Sequence, residues 1–457
     1  MPTSTPHWAN ESIFYHIYPL GFCAAPAHND FNSAPINRLD KVNLWLPHLR
    51  ELGVNALYLG PLFESTAHGY DTADYYHVDR RLGTDADLRT LAAEIHSAGM
   101  RLILDGVFNH VGRDFWAFRD VQQHLQASAY LDWFADLRFD GPRSPYGDPF
   151  TYQGWSGNYD LVKLNLQNPA VRQHLFGAIH AWVTDYGIDG LRLDAADCLD
   201  LDFLRELHSF TRSLRPDFWL LGEIVAGDYR IWANAEMLDS VTNYECYKGL
   251  YSSLAEKNYF EIAYSLNRQF GPEGLYRGLP LYAFADNHDV NRVSSNLPDP
   301  ALLYPLYCLL FTMPGVPSLY YGSEWGLTGR RTPYDDRMLR PALDLRSLNR
   351  KSPEPDLPTA ITRLISLHQG SAALKYGDYQ QIYVSHEQLA FLRRSAGETL
   401  LVVLNASPAP VSLDLNLPFA CVHAADLLNP GDSFAVAADR LVLPALPPRW
   451  ARVLRLE

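Results

Sequence analysis

The stretch "YGIDGLRLDAAD", residues 186–197, sets Asp189, Arg192, Asp194 and Asp197 among Ile188, Leu191 and Leu193. A short apolar run after a glycine reads as a buried strand. Residues two apart on a strand share a face, so Arg192 and Asp194 point one way and Leu191 and Leu193 the other. A strand with apolar residues on one side and charge at its exit asks for a fold that buries both faces and does its work at the strand ends.

Working outward, Asn168 as N-cap and Pro169 at N1 open a helix whose apolar face is Val171, Leu175, Ala178, Ile179 and Trp182, ended by Gly187. Earlier, "TDADLRTLAAEIHSAGM" carries a capping box from Thr84 to Asp87, an apolar stripe of Leu88, Leu91, Ala92 and Ile95, and a terminating Gly99. It runs into the strand "RLILDGVFNH". Further strand candidates are "SIFYHIYPLGF", "VNALYLGPLF", "FWLLGEIV", "SVTNYEC", "LPLYAFADNHD" and "VPSLYYGSEWG", separated by helical stretches such as "KVNLWLPHLRELG" and "ALLYPLYCLLFTM".

Eight strand and helix repeats imply a closed parallel (β/α)8 TIM barrel, with right-handed crossovers placing the helices outside and chemistry at the C-terminal strand ends. The barrel is expected over 1–110 and 161–375. Residues 111–160, rich in aromatics, Gly and Pro, are too long for a plain loop and read as a subdomain inserted after strand three. Short alternating runs over 376–457 read as a C-terminal antiparallel β-sandwich domain.

With 47% hydrophobic and 20% charged residues, the chain has the composition of a soluble globular protein. A net charge of −14 without long acidic runs argues against nucleic acid or an anionic membrane as partner. The start "MPTSTPHWANESIF" has no basic and apolar leader and no run reaches membrane-spanning length, so a cytoplasmic location is expected. Cys23, Cys198, Cys246, Cys308 and Cys421 lack the spacing of a disulfide framework or a zinc site.

The polar residues at the strand exits form a set: Asp105, Asn109 and His110 after strand three, Arg192 and Asp194 after strand four, Glu223 after strand five, His288 and Asp289 after strand seven. Singly, each reads as a cap, a satisfied core group or an ion pair. Together, charges at one mouth would repel or desolvate one another without a function that needs them. Two carboxylates flanking a bond are what acetal hydrolysis requires.

In order and on those strands, "DGVFNH" (105–110), "GLRLDAAD" (190–197), "LLGEI" (220–224) and "FADNHD" (284–289) resemble the four signatures of the α-amylase family, glycoside hydrolase family 13. "GYDTADYYHVDRRLGT" (69–84) and "GVPSLYYGSEWG" (315–326) resemble that family's segments after strands two and eight. The resemblance implies Asp194 as nucleophile, Glu223 as general acid and base, and Asp289 as a third carboxylate holding sugar hydroxyls. It further implies Tyr70 as a platform under the sugar, His110 and His288 as hydroxyl ligands, Arg192 as the group that keeps Asp194 ionised, and retention of configuration. Asp105 is expected to support the site without touching substrate.

"YDLVKLNLQNP" (159–169) and "EMLDSVTNYECYKGL" (236–250) resemble the neopullulanase, cyclomaltodextrinase and maltogenic amylase subgroup. The implied substrates are cyclomaltodextrins or other cyclic and short maltooligosaccharides. An α-glucosidase or a 4-α-glucanotransferase is the alternative within the family. A non-catalytic relative is disfavoured because all three carboxylates are present, and a metal-dependent barrel hydrolase because no tight ligand motif occurs.

The barrel begins near residue 12, so the subgroup's N-terminal domain is expected to be missing and its dimer does not carry over, leaving a homodimer as an open alternative. No cofactor is implied. The calcium site of many secreted relatives lacks its second aspartate within "LVKLN", and a carboxylate-rich loop elsewhere, for instance near Asp148, offers another place for calcium. Ala196, Asp197 and Cys198 stand where starch-liquefying relatives carry a Lys-His pair on the leaving-group side. Trp133, Phe134, Tyr146, Phe150, Tyr152, Trp155 and Tyr159 of the insertion suit either sugar stacking or a small core of its own.

Overall fold

A computed structural model describes residues 8–333 and 335–457. Residues 1–7, with the first part of the leader reading and of the expected barrel segment, lie outside it. Eight parallel strands make the barrel: β1 Phe14–Ile17, β2 Ala56–Leu59, β3 Arg101–Gly106, β4 Gly190–Leu193, β5 Trp219–Gly222, β6 Ser240–Val241, β7 Tyr282–Phe284 and β8 Val316–Tyr320. Their order is β7-β8-β1-β2-β3-β4-β5-β6. The ring closes between β6 and β7 through a bridge of Thr242 with Tyr282, where Asn243 N donates to Tyr282 O at 2.8 Å.

Strand parity sorts the core into two layers. Phe14, Ala56, Tyr58, Ile103, Trp219, Leu221, Tyr282, Phe284 and Val316 fill the barrel interior. Their neighbours Tyr15, Leu57, Leu59, Leu102, Leu104, Leu191, Leu193 and Leu220 pack outward against the helices. Gly190 starts β4 because a Cβ there would stand 2.4 Å from Trp219 O on β5.

Two helices form as their caps require. Thr84 and Asp87 exchange both capping-box bonds ahead of the helix Asp85–Ser97, and Asn168 Oδ1 accepts from Ala170 N ahead of Pro169–Tyr186. Gly187 follows with φ +63°, a left-handed turn that costs glycine little. The stretch "KVNLWLPHLRELG" makes two short helices, Asp40–Asn43 and Leu46–Leu52, with Pro47 in the first turn of the second.

Asp189 sits at the opposite end of β4 from the cleft. It accepts from Arg101 Nη1 at 2.7 Å, Arg215 Nη2 at 2.8 Å and Leu102 N at 2.8 Å, so it ties the barrel floor.

The insertion after β3 builds a three-stranded antiparallel sheet from His110–Gly112, Asn158–Lys163 and Gly154–Trp155. The β domain is an eight-stranded antiparallel sheet, Asp378–Val384 to Trp450–Leu456, folded over a core that includes Leu392, Leu401, Val403, Leu415, Leu443 and Leu454. Three of its strands, His423–Asp426, Ser433–Ala437 and Arg440–Leu446, are additions to the sequence reading. Arg393, buried in this domain, donates to Thr312 O at 2.6 Å and Leu374 O at 2.9 Å, which satisfies carbonyls at helix ends of the barrel. Among the described residues no helix is long and apolar enough to cross a membrane.

Candidate active site

At the C-terminal ends of the strands opens a cleft of about 980 Å³ whose lining includes Tyr70, His110, Asp194, Glu223 and Asp289. Its floor is organised by one guanidinium. Arg192, 3% exposed, donates from Nη1 to Asp105 at 2.8 Å and to Asp194 Oδ1 at 3.1 Å, and its Nη2 lies 2.8 Å from Glu223 Oε2. Register explains the convergence: Asp105, Arg192 and Leu221 are aligned across β3, β4 and β5, so Arg192 reaches up between strand exits.

Asp105 also accepts from Tyr58 Oη at 2.8 Å and Tyr70 Oη at 3.0 Å. Among the described residues the hydrogen bonds of the Asp105 carboxylate all come from side chains of the site, Tyr58, Tyr70 and Arg192. Burial pushes Asp194 well above the usual carboxylate range. Arg192 opposes this, and the charges of Glu223, Asp105 and Asp289 add to it. The sequence reading gave Arg192 the task of holding Asp194 ionised and oriented; the bond between them is in place, and burial with the neighbouring carboxylates acts against that cation.

The backbone turns sharply after the carboxylate. Ala195 adopts φ +44° and ψ +47°, a conformation that costs a non-glycine residue roughly 1–2 kcal/mol. The strained turn aims Ala195 N at Glu223 Oε2, 3.2 Å away, and Ala196 N at Glu223 O, 3.1 Å away. Tyr244 Oη donates to the other oxygen, Oε1, at 3.2 Å. Glu223 is thus gripped from three elements while it faces the cleft.

Asp289 is more open, with 34% of its side chain exposed. His288 Nε2 lies 2.9 Å from one of its oxygens and Arg340 Nη2 donates to the other at 2.8 Å. His288 is stacked on Tyr70, rings 5.4 Å apart and 9° from parallel, and the Tyr70 hydroxyl bonds its Nε2. His110 stands 3.8 Å from Asp194 Oδ2. Burial pushes its pKa down to about 3, so its ring is neutral.

Several cleft residues carry no sequence periodicity and entered through the structure: Arg340, Arg331 and Asp336 from the loop after β8, and Tyr244 after β6. A density of charge in "RRTPYDDRMLR" (330–340) is the one signal that could have marked them. Of the insertion's aromatics, Trp133, Phe134, Phe150 and Tyr152 are buried in its core, and Trp155 lines the cleft. Tyr146 is exposed beneath Arg113, 4.3 Å from the ring centre.

The residues do not fit a calcium ion at either place considered. Asn109 supplies one amide oxygen, and the facing strand carries Val162 and Lys163 where a carboxylate would be needed. Asp148 is held by Arg113 through bonds of 2.9 and 3.1 Å, so its charge is already matched. Among the described residues no set of three His, Cys, Asp or Glu side chains converges as a metal site.

A (β/α)8 barrel with three carboxylates and an arginine at the strand exits defines a barrel glycoside hydrolase. Residues 17–354 match the alpha amylase catalytic domain and residues 379–452 the maltogenic amylase C-terminal domain, and the chain belongs to the α-amylase family. It is 32% identical over 425 residues to a cyclomaltodextrinase of Bacillus sp, a match covering 88% of this chain and 74% of that one. With neopullulanase 2 of Thermoactinomyces vulgaris it shares 33% identity over 442 residues, 91% of this chain and 72% of the other. Among solved structures, the ligand-free cyclic alpha-maltosyl-(1→6)-maltose hydrolase from Arthrobacter globiformis superposes with a TM-score of 0.80 at 28% identity. That match covers 99% of this chain and 100% of that one.

Proposed function

We propose that this glycoside hydrolase opens cyclomaltodextrins and related cyclic or short maltooligosaccharides with retention of configuration. Asp194 is the nucleophile, Glu223 the general acid and base, and Asp289 the third carboxylate. The reading rests on one observation above the others: a single buried guanidinium, Arg192, bonded at once to Asp105, Asp194 and Glu223 on the floor of the cleft.

In the first step Glu223 gives its proton to the glycosidic oxygen as the anomeric carbon leaves it, and an Asp194 oxygen bonds that carbon. In the second, water attacks the carbon, its proton passes to Glu223, and the bond to Asp194 breaks with its electron pair returning to the carboxylate. Arg192 matches the Asp194 carboxylate when charged and loses least when it is esterified, because Asp105 and Glu223 remain its partners.

His110, Tyr70 and His288 hold the donor sugar. Asn109 Nδ2 donates to His110 Nδ1 at 3.1 Å, which leaves Nε2 as the N–H, 3.8 Å from Asp194 Oδ2 and without a hydrogen bond among the described residues. A neutral donor there suits a sugar hydroxyl.

A second reading draws on the solved structures. The Arthrobacter globiformis hydrolase of cyclic alpha-maltosyl-(1→6)-maltose, solved also in complex with that ring at a TM-score of 0.81, stands beside a cyclomaltodextrinase at 0.85. A cyclic maltosyl-maltose ring therefore joins cyclomaltodextrins as a candidate substrate. Initial rates on β-cyclodextrin, cyclic maltosyl-maltose, pullulan, maltotriose and starch separate the two; starch as much the best substrate would sink both. An intracellular maltogenic amylase of Bacillus subtilis, 29% identical over 349 residues, supports a cytoplasmic place of action, testable by fractionating the activity between cytosol and medium.

A further inference from the structure

Lys163 ends the insertion's strand Asn158–Lys163, opposite His110. Its backbone is pinned, N donating to Gln153 O at 2.9 Å and O accepting from Ala135 N at 2.9 Å. Its half-buried side chain lines the cleft with Trp155 of the same sheet and with Asp197 and Cys198 of the turn after β4. The other cations near the cleft are engaged: Arg192 by three carboxylates, Arg340 by Asp289, and Arg331 by Asp336 at 3.2 Å. Among the described residues the Lys163 ammonium has neither an ion pair nor a hydrogen bond. A cation left unmatched in a cleft this rich in carboxylates points its donors at something else.

Its side of the cleft follows from the contacts. The general acid must face the leaving oxygen, and the turn carrying Asp197 and Cys198 starts at Ala195, whose N–H bonds Glu223. Tyr70, His288, Asp289 and Arg340 are linked to one another around the donor sugar's place. Lys163 belongs to the Glu223 side, since it lines the same cleft as Asp197 and Cys198 of that turn.

We propose that Lys163 is an acceptor-side specificity residue: its ammonium holds the hydroxyls of the sugar that leaves, and of a sugar that enters, and so sets the division between hydrolysis and transfer. The proposal rests on the roles given above to Asp194 and Glu223. In transfer, an acceptor hydroxyl oxygen bonds the anomeric carbon, and the carbon's bond to Asp194 breaks with its electrons returning to the carboxylate. The hydroxyl proton passes to Glu223. The ammonium, with three donors and no acceptor, gives hydrogen bonds to neighbouring hydroxyls of the same sugar and is not consumed. A lysine that merely covers Trp155 with its stem would leave this division unchanged.

The test uses α-maltosyl fluoride as donor and maltose as added acceptor, reading fluoride release and the ratio of transferred to hydrolysed product. Lys163→Met should lower that ratio about tenfold at a fixed maltose concentration, the effect of losing a charge-assisted hydrogen bond. Lys163→Arg should restore much of it, and Lys163→Gln repeats the test should the methionine variant fold poorly. A ratio equal to wild type in the methionine and glutamine variants overturns the proposal, as does a wild-type enzyme that releases fluoride yet transfers nothing to maltose. Failure of the underlying reading looks different: Asp194→Asn would then still release fluoride at the wild-type rate.

Discussion

Arg340 donates to Asp289 Oδ1 at 2.8 Å and, through Nε, to the carbonyl of His288 at 2.9 Å, so one guanidinium fixes two adjacent residues of the cleft. Burial pushes the Asp289 carboxyl up, but His288 and Arg340 outweigh it and hold it well below the usual carboxylate range. A depressed carboxyl contributes stability that is present above its ordinary pKa near 4 and is lost as pH falls through the lower folded value. Arg340→Gln removes one of the two holders. The expected result is a fall in kcat/KM of roughly tenfold to a hundredfold at pH 7, the cost of a charge-assisted bond, with the acid limb of the profile moved to higher pH. A profile and rate like wild type would show that the loop after β8 does not act on Asp289.

Asp194 has the opposite sign. Its pKa is raised in the folded state, so the stability attached to its proton is present below the unfolded value and is lost as pH rises through the folded one. At neutral pH the ionised group therefore opposes folding. Asp194→Asn is expected to abolish turnover, by a factor on the order of 10⁴ or more. It should also raise the melting temperature at pH 7 by about 2 °C, an increase that shrinks toward pH 4. A lower melting temperature at both pH values would contradict the burial argument.

Cys198 is the one exposed cysteine among the described residues, and it lies in the cleft. Partial burial and the charge of Asp197 raise its pKa, so thiolate is scarce at pH 7 and labelling should quicken as pH rises toward 9. A bulky maleimide there is expected to block activity in step with labelling, and bound maltooligosaccharide to slow it. Cys198→Ser should remove the sensitivity; inactivation that persists in this variant would place the reactive thiol elsewhere.

What sequence could reveal follows the reach of local pattern. The stripes of Asp85–Ser97 and Pro169–Tyr186 and the parity of Arg192 and Asp194 are local, and each is legible in a dozen residues. β6 is two residues long, too short to show a period, and was readable only from its place in the series. Arg340 is separated from Asp289 by 51 residues and lies in a loop, where neither period nor propensity marks it. The cation at Lys163 reads in sequence as the loss of a calcium ligand. Only the packing of the insertion against the turn after β4 turns it toward the cleft. The insertion's aromatics divide for the same reason, because which of them faces inward depends on a sheet whose strands are more than 40 residues apart.

Arg192→Lys tests the centre of the arrangement. A lysine keeps the charge but is a point donor on a flexible stem, and it cannot span Asp105, Asp194 and Glu223 as a planar guanidinium does. At least one buried carboxylate loses its partner, and breaking a buried pair from one side costs about 3–5 kcal/mol. The variant should fall in kcat/KM by at least about a hundredfold and melt earlier than wild type. If that instability comes from carboxylates left without their cation, removing one of them should relieve it. Asp194→Asn in the Arg192→Lys background is then expected to stabilise more than it does in wild type, a coupling of roughly 1 kcal/mol or more by a double-mutant cycle. Strict additivity of the two substitutions would mean that Arg192 and Asp194 do not share a charge balance, and the account of the cleft floor given above would fall with it.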